Sequence, residues 1–511
     1  IVHSSPTFHD GALYVGGNGG MLHVLDASNG EELFAYVPNL IFNNLWELTS
    51  SSYQHRYFVD LTPVVRNTGI GTRLVGGLGR GGGGYYCLDV SNPFSPYSES
   101  GLAQKVMWEY PRSTTPTSEI MDMGYSYSLP SIVNSNAGWI AIFGNGYDSP
   151  NGKAVLIILD LANGNPITRI DTGAGGCNGL STPIAVDVNN DNKVDYVYAG
   201  DLKGNLWKFD LTSSSPSDWK VAHKDGTTPK PLFQARDGNG TPQPITTRPD
   251  VMYHCLRSMP GYMVIFGTGK YLGHTDFVDS STQTVYGIWD YGDDVDDSEY
   301  LGSFDRDAAQ MLSNQPETVS LLEQWEIYSG IVGGNYLRVL SDHDPVWETE
   351  PDSNTGQDPN PSSVTPNHAG WYFDLPLSRE RVIRDPIIRD GKAIVISNIP
   401  QSSPCAAGGD SIVHEMDACT GGRLPTPQFD ISGDSIVGWD DTILIPDPYN
   451  PGQTIRVAPT GIGFPSMVYA PRILRMSDGT EIKYFSSAAG NIVTLREVGE
   501  KRGIYYWRHV D

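Results

Sequence analysis

Apolar and polar residues alternate along this chain in short runs, and the runs recur in a repeating order. Seven places hold a proline inside a short β-like run: Pro6 in SPTF, Pro63 in TPVV, Pro130 in LPSI, Pro183 in TPIAV, Pro249 in RPDV, Pro386 in DPII and Pro465 in FPSM. A second apolar run follows each, often ending in glycine, as in ALYVGG, WIAIFGNG and YMVIFGTG. A third run usually ends in an acid: Asp26, Asp89, Asp160, Asp210, Asp290 and Asp417, with Glu497 in the last repeat. Three of these continue into the turns DASNG, DLANG and DACTG. Runs of this length, rich in Val, Ile and aromatics and bounded by Gly, Asn and Asp, predict strands. Each repeat therefore reads as an antiparallel meander of three strands, with a weaker fourth in ELFAYV, PITRI and GWYFDL.

A lone meander cannot bury both of its faces, so the repeats must pack on one another. Radial packing gives an all-β, seven-bladed β-propeller, expected to occupy residues 1–511 as one domain. A pair of β-sandwiches is the competing architecture. A proline at the first strand is tolerated because the missing N–H falls at a strand end. The interval from Pro249 to Pro386 is the widest. It contains DRDAAQMLSNQPETVSLLEQ, whose spacing predicts a helix, and then the turn-rich EPDSNTGQDPNPSSVTPN. Residues 291–369 are expected to form an inter-blade insertion, partly helical; an eighth blade around YLRVLSD and GWYFDL is the alternative. The closing RGIYYWRHV is expected to add a strand to the first blade.

Composition narrows the classes of function. Lys and Arg total 34 against 59 Asp and Glu, giving a formal net charge of −25. Nucleic-acid binding is disfavoured, since phosphate contacts need clustered basic residues. No apolar run is long enough for a transmembrane helix. The chain opens on IVHSSPTF, which reads as the inside of a strand motif, so it is expected to be a piece of a longer protein without its own signal peptide. The five cysteines are Cys87, Cys177, Cys255, Cys405 and Cys419. Cys405 and Cys419 flank the strand-like SIVHEMDA, which suggests a local Cys405–Cys419 bridge and, with it, an oxidising compartment. No zinc-type spacing and no Ser-His-Asp elbow occur.

The candidate chemistry lies in STPIAVDVNNDNKVDYVYAG. Asp187, Asn189, Asp191 and Asp195 stand at positions 1, 3, 5 and 9 of a loop between two strand-like runs. In a strand these like charges would repel; in a tight loop they converge. Ca²⁺ takes about six to eight oxygens from carboxylates, amides, carbonyls and water. The seventh position, Lys193, can offer its backbone carbonyl while its side chain points to solvent. The loop is not an EF-hand: its twelfth position is Tyr198 in place of a bidentate acid, and its sixth is Asn192 in place of glycine. Mg²⁺ suits a flexible many-oxygen loop less well. A solvated acidic turn is the plain alternative. Asp430, Ser432 and Asp434 form a weaker second candidate, because Gly438 occupies its ninth position. DYGDDVDDSE, residues 290–299, reads as a self-repelling acidic loop, and GLGRGGGGYY as a tight inter-strand turn with no phosphate-binding helix after it.

On these residues the chain resembles the C-terminal domain of the PilY family of type IV pilus biogenesis factors. The likeness rests on GLSTPIAVDVNNDNKVDYVYAGDLKGNLWKFDL, on GWYFDLPLSRERVI and on PCAAGGDSIVHEMDACTGG, and covers essentially the whole chain. It implies a modified seven-bladed propeller of quinoprotein type, with calcium held by Asp187, Asn189, Asp191, the Lys193 carbonyl and Asp195. It also implies a non-enzymatic protein, secreted through the periplasm to the outer cell surface or pilus tip. There it would promote pilus assembly, oppose retraction, and support twitching motility, adhesion and virulence. Implied partners are minor pilins or the pilus tip, and a host or abiotic surface. Two rivals stand beside it. GALYVGGNGGMLHVLDASNGEELF resembles quinoprotein dehydrogenase repeats, although Phe34 takes the place of their docking Trp. An integrin-like propeller would use such acidic loops in several blades, and here one is intact.

Overall fold

The computed structural model of the chain describes all residues except 1, 113–116, 257–258, 274, 291–300, 304–305, 307–309, 312–317, 348–367, 402–407, 478 and 500–511. Its contacts fall into two compact units. Among the described residues, the first holds those up to 202 and 206–230; the second holds 203–205 and 231–499.

In the first unit four antiparallel meanders follow one another. They are β1 (Thr7–His9), β2 (Ala12–Gly17), β3 (Met21–Asp26) and β4 (Glu32–Tyr36); β5 (Val64–Thr68), β6 (Gly71–Gly77), β7 (Tyr85–Asp89) and β8 (Val106–Tyr110); β9 (Ser131–Ser135), β10 (Gly138–Gly144), β11 (Val155–Asp160) and β12 (Pro166–Asp171); and β13 (Ile184–Val186), β14 (Tyr196–Gly200), β15 (Asn205–Asp210) and β16 (Lys220–Val221). The middle strands are apolar at nearly every position because both faces are covered. Along β10 and β11, Ile140, Ile142, Leu156 and Ile158 pack with Val197 and Ala199 of the following sheet. Ala141, Phe143, Val155, Ile157 and Leu159 pack with Val75 and Cys87 of the preceding one. Each such Val, Leu, Ile or Phe side chain contributes about 1.5–3 kcal/mol on leaving water.

The acid that ends the third strand has a local task. Asp26 accepts the Ser28 amide (2.8 Å), Asp89 that of Ser91 (3.1 Å), Asp160 that of Ala162 (2.8 Å), Asp210 that of Thr212 (2.9 Å), and Asp417 that of Cys419 (2.7 Å). The carboxylate starts the turn into the fourth strand. Gly164 then adopts φ +67°, and a Cβ there would lie 2.5 Å from Cγ of Trp108.

The second unit holds two larger sheets. Asp250–Tyr253, Tyr262–Gly267, Thr284–Asp290 and His368–Asp374 form an antiparallel meander, to which Thr318–Gln324 adds in parallel. The other runs Glu326–Val332, Asn335–Leu340, Gly461–Phe464, Gly409–Asp417, Lys392–Pro400 and Arg381–Val382, with Ile387–Arg389 on Lys392–Pro400. Arg472–Arg475, Glu481–Ser486 and Ile492–Glu497 form a three-stranded sheet.

Among the described residues, six sheets of four or more strands thus stand where seven blades were expected. The prolines show why. Pro6, Pro63, Pro130, Pro183 and Pro249 each immediately precede the first strand of a sheet; Pro386 precedes Ile387–Arg389, a side strand of a sheet already begun by Glu326–Val332, and Pro465 follows Gly461–Phe464 of that same sheet. The seventh repeat yields only the three-stranded sheet, and RGIYYWRHV lies outside the described residues. The expected helix is also corrected: Thr318–Gln324 is a strand, held by its pairing with Ser320 to Gln324 against His368–Asp374. Within 291–369, Glu326–Val332 and Asn335–Leu340 extend the sheet of Lys392–Pro400, and residues 291–300 are not described. The Cys405–Cys419 pairing is overturned, because the sulfur of Cys419 is bonded to that of Cys255. Cys87 is buried with a free thiol, Cys177 is exposed, and Cys405 is outside the described residues.

Inside the second unit a charged pair is fully enclosed. Arg338 donates to both oxygens of Glu380, at 2.6 and 3.0 Å, and its Nε donates to Glu326 at 2.8 Å. Ser397 Oγ donates to Glu380 as well. His414 Nε2 stands 3.0 Å from Arg338 Nη1. Burial, then the guanidinium, push the His414 pKa from 6.5 down to about 3.

Two outcomes are expected. The disulfide closes a loop of sequence separation 164. Cys255→Ser is expected to lower the thermal unfolding midpoint, by the equivalent of roughly 4 kcal/mol, and reductant should have the same effect on wild type. An unchanged midpoint would show that the link adds no constraint. The pH response follows from His414 and from His254, which burial lowers to about 4. Both folded values lie below 6.5, so the unfolded chain takes up protons that the folded chain refuses. Stability is full above about pH 6.5 and is lost as pH falls from there through 4 toward 3, by several kcal/mol. Thermal melts across that range check this, and His414→Gln should flatten the profile.

Candidate functional site

The acidic loop is the connection between β13 and β14, and the fold leaves it little freedom. The two strands pair Ile184 with Tyr198, Ala185 with Val197 and Val186 with Tyr196, and all six side chains are buried. The Asp195 amide donates to the Val186 carbonyl (2.9 Å) and closes the base of the loop. Val194 is fully buried in the core, and its amide donates to the Asn134 carbonyl on β9 (2.9 Å).

Between those anchors the chain curls around its own acids. Asp187 Oδ1 accepts the amides of Asn189 (3.2 Å) and Asn190 (2.7 Å), and its Oδ2 accepts that of Asn192 (2.8 Å). Asn189 Oδ1 accepts the Asp191 amide (2.8 Å), and Asp191 Oδ1 that of Lys193 (2.9 Å). Asp195 Oδ2 accepts the Val188 amide (2.8 Å) from across the loop, and Asn189 Nδ2 donates to Asp195 Oδ1 (3.4 Å). Asn190 and Asn192 take φ +61° and +63°, a region that Asn tolerates better than most residues. This is how a loop without glycine at its sixth position still makes the turn.

The charge is less well balanced than the hydrogen bonds. Asp187 and Asp195 are 7% and 6% exposed, and their hydrogen-bond partners are all amides. Burial raises the Asp195 carboxyl above its ordinary value; the Val188 amide pulls it down, and the charges of Asp187 and Asp191 push it up again. The Lys193 ammonium, 3.9 Å from Asp191 Oδ2, is the nearby cation. Buried carboxylates without a counter-ion are costly. The structure brings Asp187, Asn189, Asp191, Lys193 and Asp195 into one turn, as the spacing predicts. Among the described residues, no three His, Cys, Asp or Glu side chains form a ready metal cage. The donor set nevertheless fits a hard divalent cation: every candidate ligand atom is oxygen, and two of the three carboxylates are buried without a cation.

Asp430 repeats this backbone pattern in the second unit. Its Oδ1 accepts the Gly433 amide (2.7 Å) and its Oδ2 that of Ser435 (2.9 Å), Ser432 Oγ accepts that of Asp434, and Asp434 Oδ1 accepts that of Ile436 (2.8 Å). What closes the turn is a residue that the spacing argument passed over. Gly438 at the ninth position carries no side chain, and Asp441, fully buried, accepts the amides of Ile431 (2.8 Å), Ser432 (2.9 Å) and Gly438 (2.7 Å). An acid at the twelfth position was the available signal. The glycine-rich stretch connects β6 to β7, as expected. A Cβ on Gly81 would lie 1.9 Å from the Phe58 carbonyl oxygen, so the backbone approach requires glycine there. Residues 291–300 of the other acidic stretch are not described. Among the described residues, no helix is long and apolar enough to cross a membrane.

Comparisons with known proteins bear on the family and the fold. The sequence profile described as the PilY1 beta-propeller domain matches residues 5–320. A type IV pilus biogenesis factor PilY1 of Pseudomonas aeruginosa (strain UCBPP-PA14) is 35% identical over 458 residues, spanning 83% of this chain and 37% of that protein. A type IV pilus biogenesis factor PilY1 homolog of Xylella fastidiosa is 36% identical over 433 residues, spanning 80% of this chain and 26% of that protein. The crystal structure of the Pseudomonas aeruginosa PilY1 C-terminal domain aligns with a TM-score of 0.71 at 28% identity, covering 95% of this chain and 92% of that one. The chain therefore spans 37% and 26% of the length of these two curated relatives, and the fold it shares with the solved domain is the propeller. With its six sheets as blades, this chain belongs to the PilY1 beta-propeller family.

Proposed function

We propose that this chain is the calcium-binding propeller of a type IV pilus biogenesis factor, and that it is not an enzyme. It acts outside the cytoplasm, at the cell surface or pilus tip, where it promotes pilus assembly and opposes retraction, and so supports twitching motility and adhesion. Its partners are minor pilins or the pilus tip, with a host or abiotic surface beyond them. The observation that carries this reading is the family match across residues 5–320, with the β13–β14 loop inside the matched region.

Asp187, Asn189, Asp191, the Lys193 carbonyl and Asp195 would hold the ion. Calcium would supply the positive charge that Asp187 and Asp195 lack. The carboxylates would then no longer repel, and the loop would be fixed between two blades as a rigid element for the partner. A ligand shifts such a balance only through its different affinity for the two states.

Calcium is expected to raise the thermal midpoint of chelator-treated protein, with a gain of about 2.7 kcal/mol at a hundred times Kd. Asp195→Ala should weaken binding by calorimetry at least about tenfold, and Asp191→Lys should abolish the calcium dependence. Equal affinities for wild type and Asp195→Ala would sink the site assignment. In cells lacking their own copy, surface piliation should be restored by wild type and reduced with Asp195→Ala. Cofactor-dependent oxidation of an alcohol in the presence of a quinone would favour the dehydrogenase reading instead, and three or four calcium ions per chain the integrin-like one.

A further inference from the structure

We propose that Lys193 is the resident counter-ion of the β13–β14 loop, and that it sets the loop's affinity for divalent cations by opposing them. This rests on the calcium reading above. The residue would serve the site twice, with opposite signs: its carbonyl is a candidate ligand, while its ammonium is a like charge beside the ion.

The placement of the ammonium argues for this. Lys193 Nζ lies 3.9 Å from Asp191 Oδ2, at the outer limit of an ion pair, and 3.1 Å from Asn136 Oδ1, to which it donates. Asn136 lies between β9 and β10 of the preceding blade, and its Nδ2 donates to the Thr212 carbonyl, just beyond β15 (2.9 Å). The amide is therefore fixed at both ends, and it holds the ammonium beside the acid without seating it there. Lys193 and Asp191 side chains are 39% and 45% exposed, so the pair adds little stability of its own. Its effect is on what enters. The carboxylates of Asp187, Asp191 and Asp195 carry three negative charges and Lys193 returns one positive charge, so an arriving cation meets a net attraction reduced by a third. Any cation bound by these carboxylates lies within a few ångströms of that ammonium, too close for solvent screening to remove the repulsion.

Calcium binding to the purified wild-type chain and to variants, measured by calorimetry across salt concentrations, tests this. Lys193→Met is expected to tighten calcium binding by about tenfold and to steepen its salt dependence, since one screening charge is gone. The same variant should gain more in thermal midpoint from saturating calcium, relative to its chelator-stripped form, than wild type does. Lys193→Arg keeps the charge and should retain wild-type affinity. Asn136→Ala releases the ammonium onto Asp191 and should weaken binding several-fold, roughly as one added like charge would. If wild type binds calcium and Lys193→Met binds it within about twofold, with the same salt slope, the counter-ion role is wrong. If Lys193→Met weakens binding, the side chain supports the loop and does not oppose the ion. If wild type itself binds no calcium, the failure belongs to the calcium reading.

Discussion

Two buried carboxylates with only amide partners, Asp187 and Asp195, set the terms for the candidate site. The β-strands on either side place them there. β13 and β14 are buried on both faces, so the loop that joins them cannot swing its acids out to water without tearing Val194 from the core. Amide donors satisfy the hydrogen-bonding capacity of the oxygens but not their charge. The scaffold thus imposes the repulsion, and the proposed cation would relieve it. The core packing of the third and fourth blades is therefore what gives the loop its chemistry.

Much of this was legible in the sequence, for identifiable reasons. The prolines read correctly at Pro6, Pro63, Pro130, Pro183 and Pro249 because a missing N–H is tolerated at the entry to a first strand, and Pro386 likewise enters a strand, though a later one of its sheet. Pro465 misled because the same local signal also fits the exit of Gly461–Phe464, and sequence spacing does not separate entry from exit. The recurring acid after the third strand was visible as a pattern, and its reason, a side chain capping a turn, emerges only with the hydrogen bonds. TVSLLEQ looked helical by spacing, yet pairing along His368–Asp374 overrides that local preference. Pairing of Cys255 with Cys419 was not readable, since a strand-flanking spacing favours the near cysteine and only the fold brings the distant one close.

The loop itself divides in the same way. Position-by-position spacing was enough to assemble Asp187, Asn189, Asp191 and Asp195 in one turn. Spacing carried no information on which acids would be buried, or on Asn136 of another blade meeting Lys193. In the second unit, the Asp430 turn shows the limit from the other side. Its backbone follows the first loop, but its closing acid, Asp441, stands three positions beyond the ninth, where the first loop has Asp195.

The aspartates that end the third strands have one more implication. Because Asp26, Asp160 and Asp210 each bond an amide only two residues ahead, the carboxylate's hold on the turn is local; Asp89 does the same but also takes the Lys105 ammonium from beyond its corner. Whatever is spliced in after such a corner leaves the corner itself intact. A gene encoding these blades can thus lengthen one linker and trim another without re-solving the sheets, which accounts for a repeat so regular inside its units and so uneven between them.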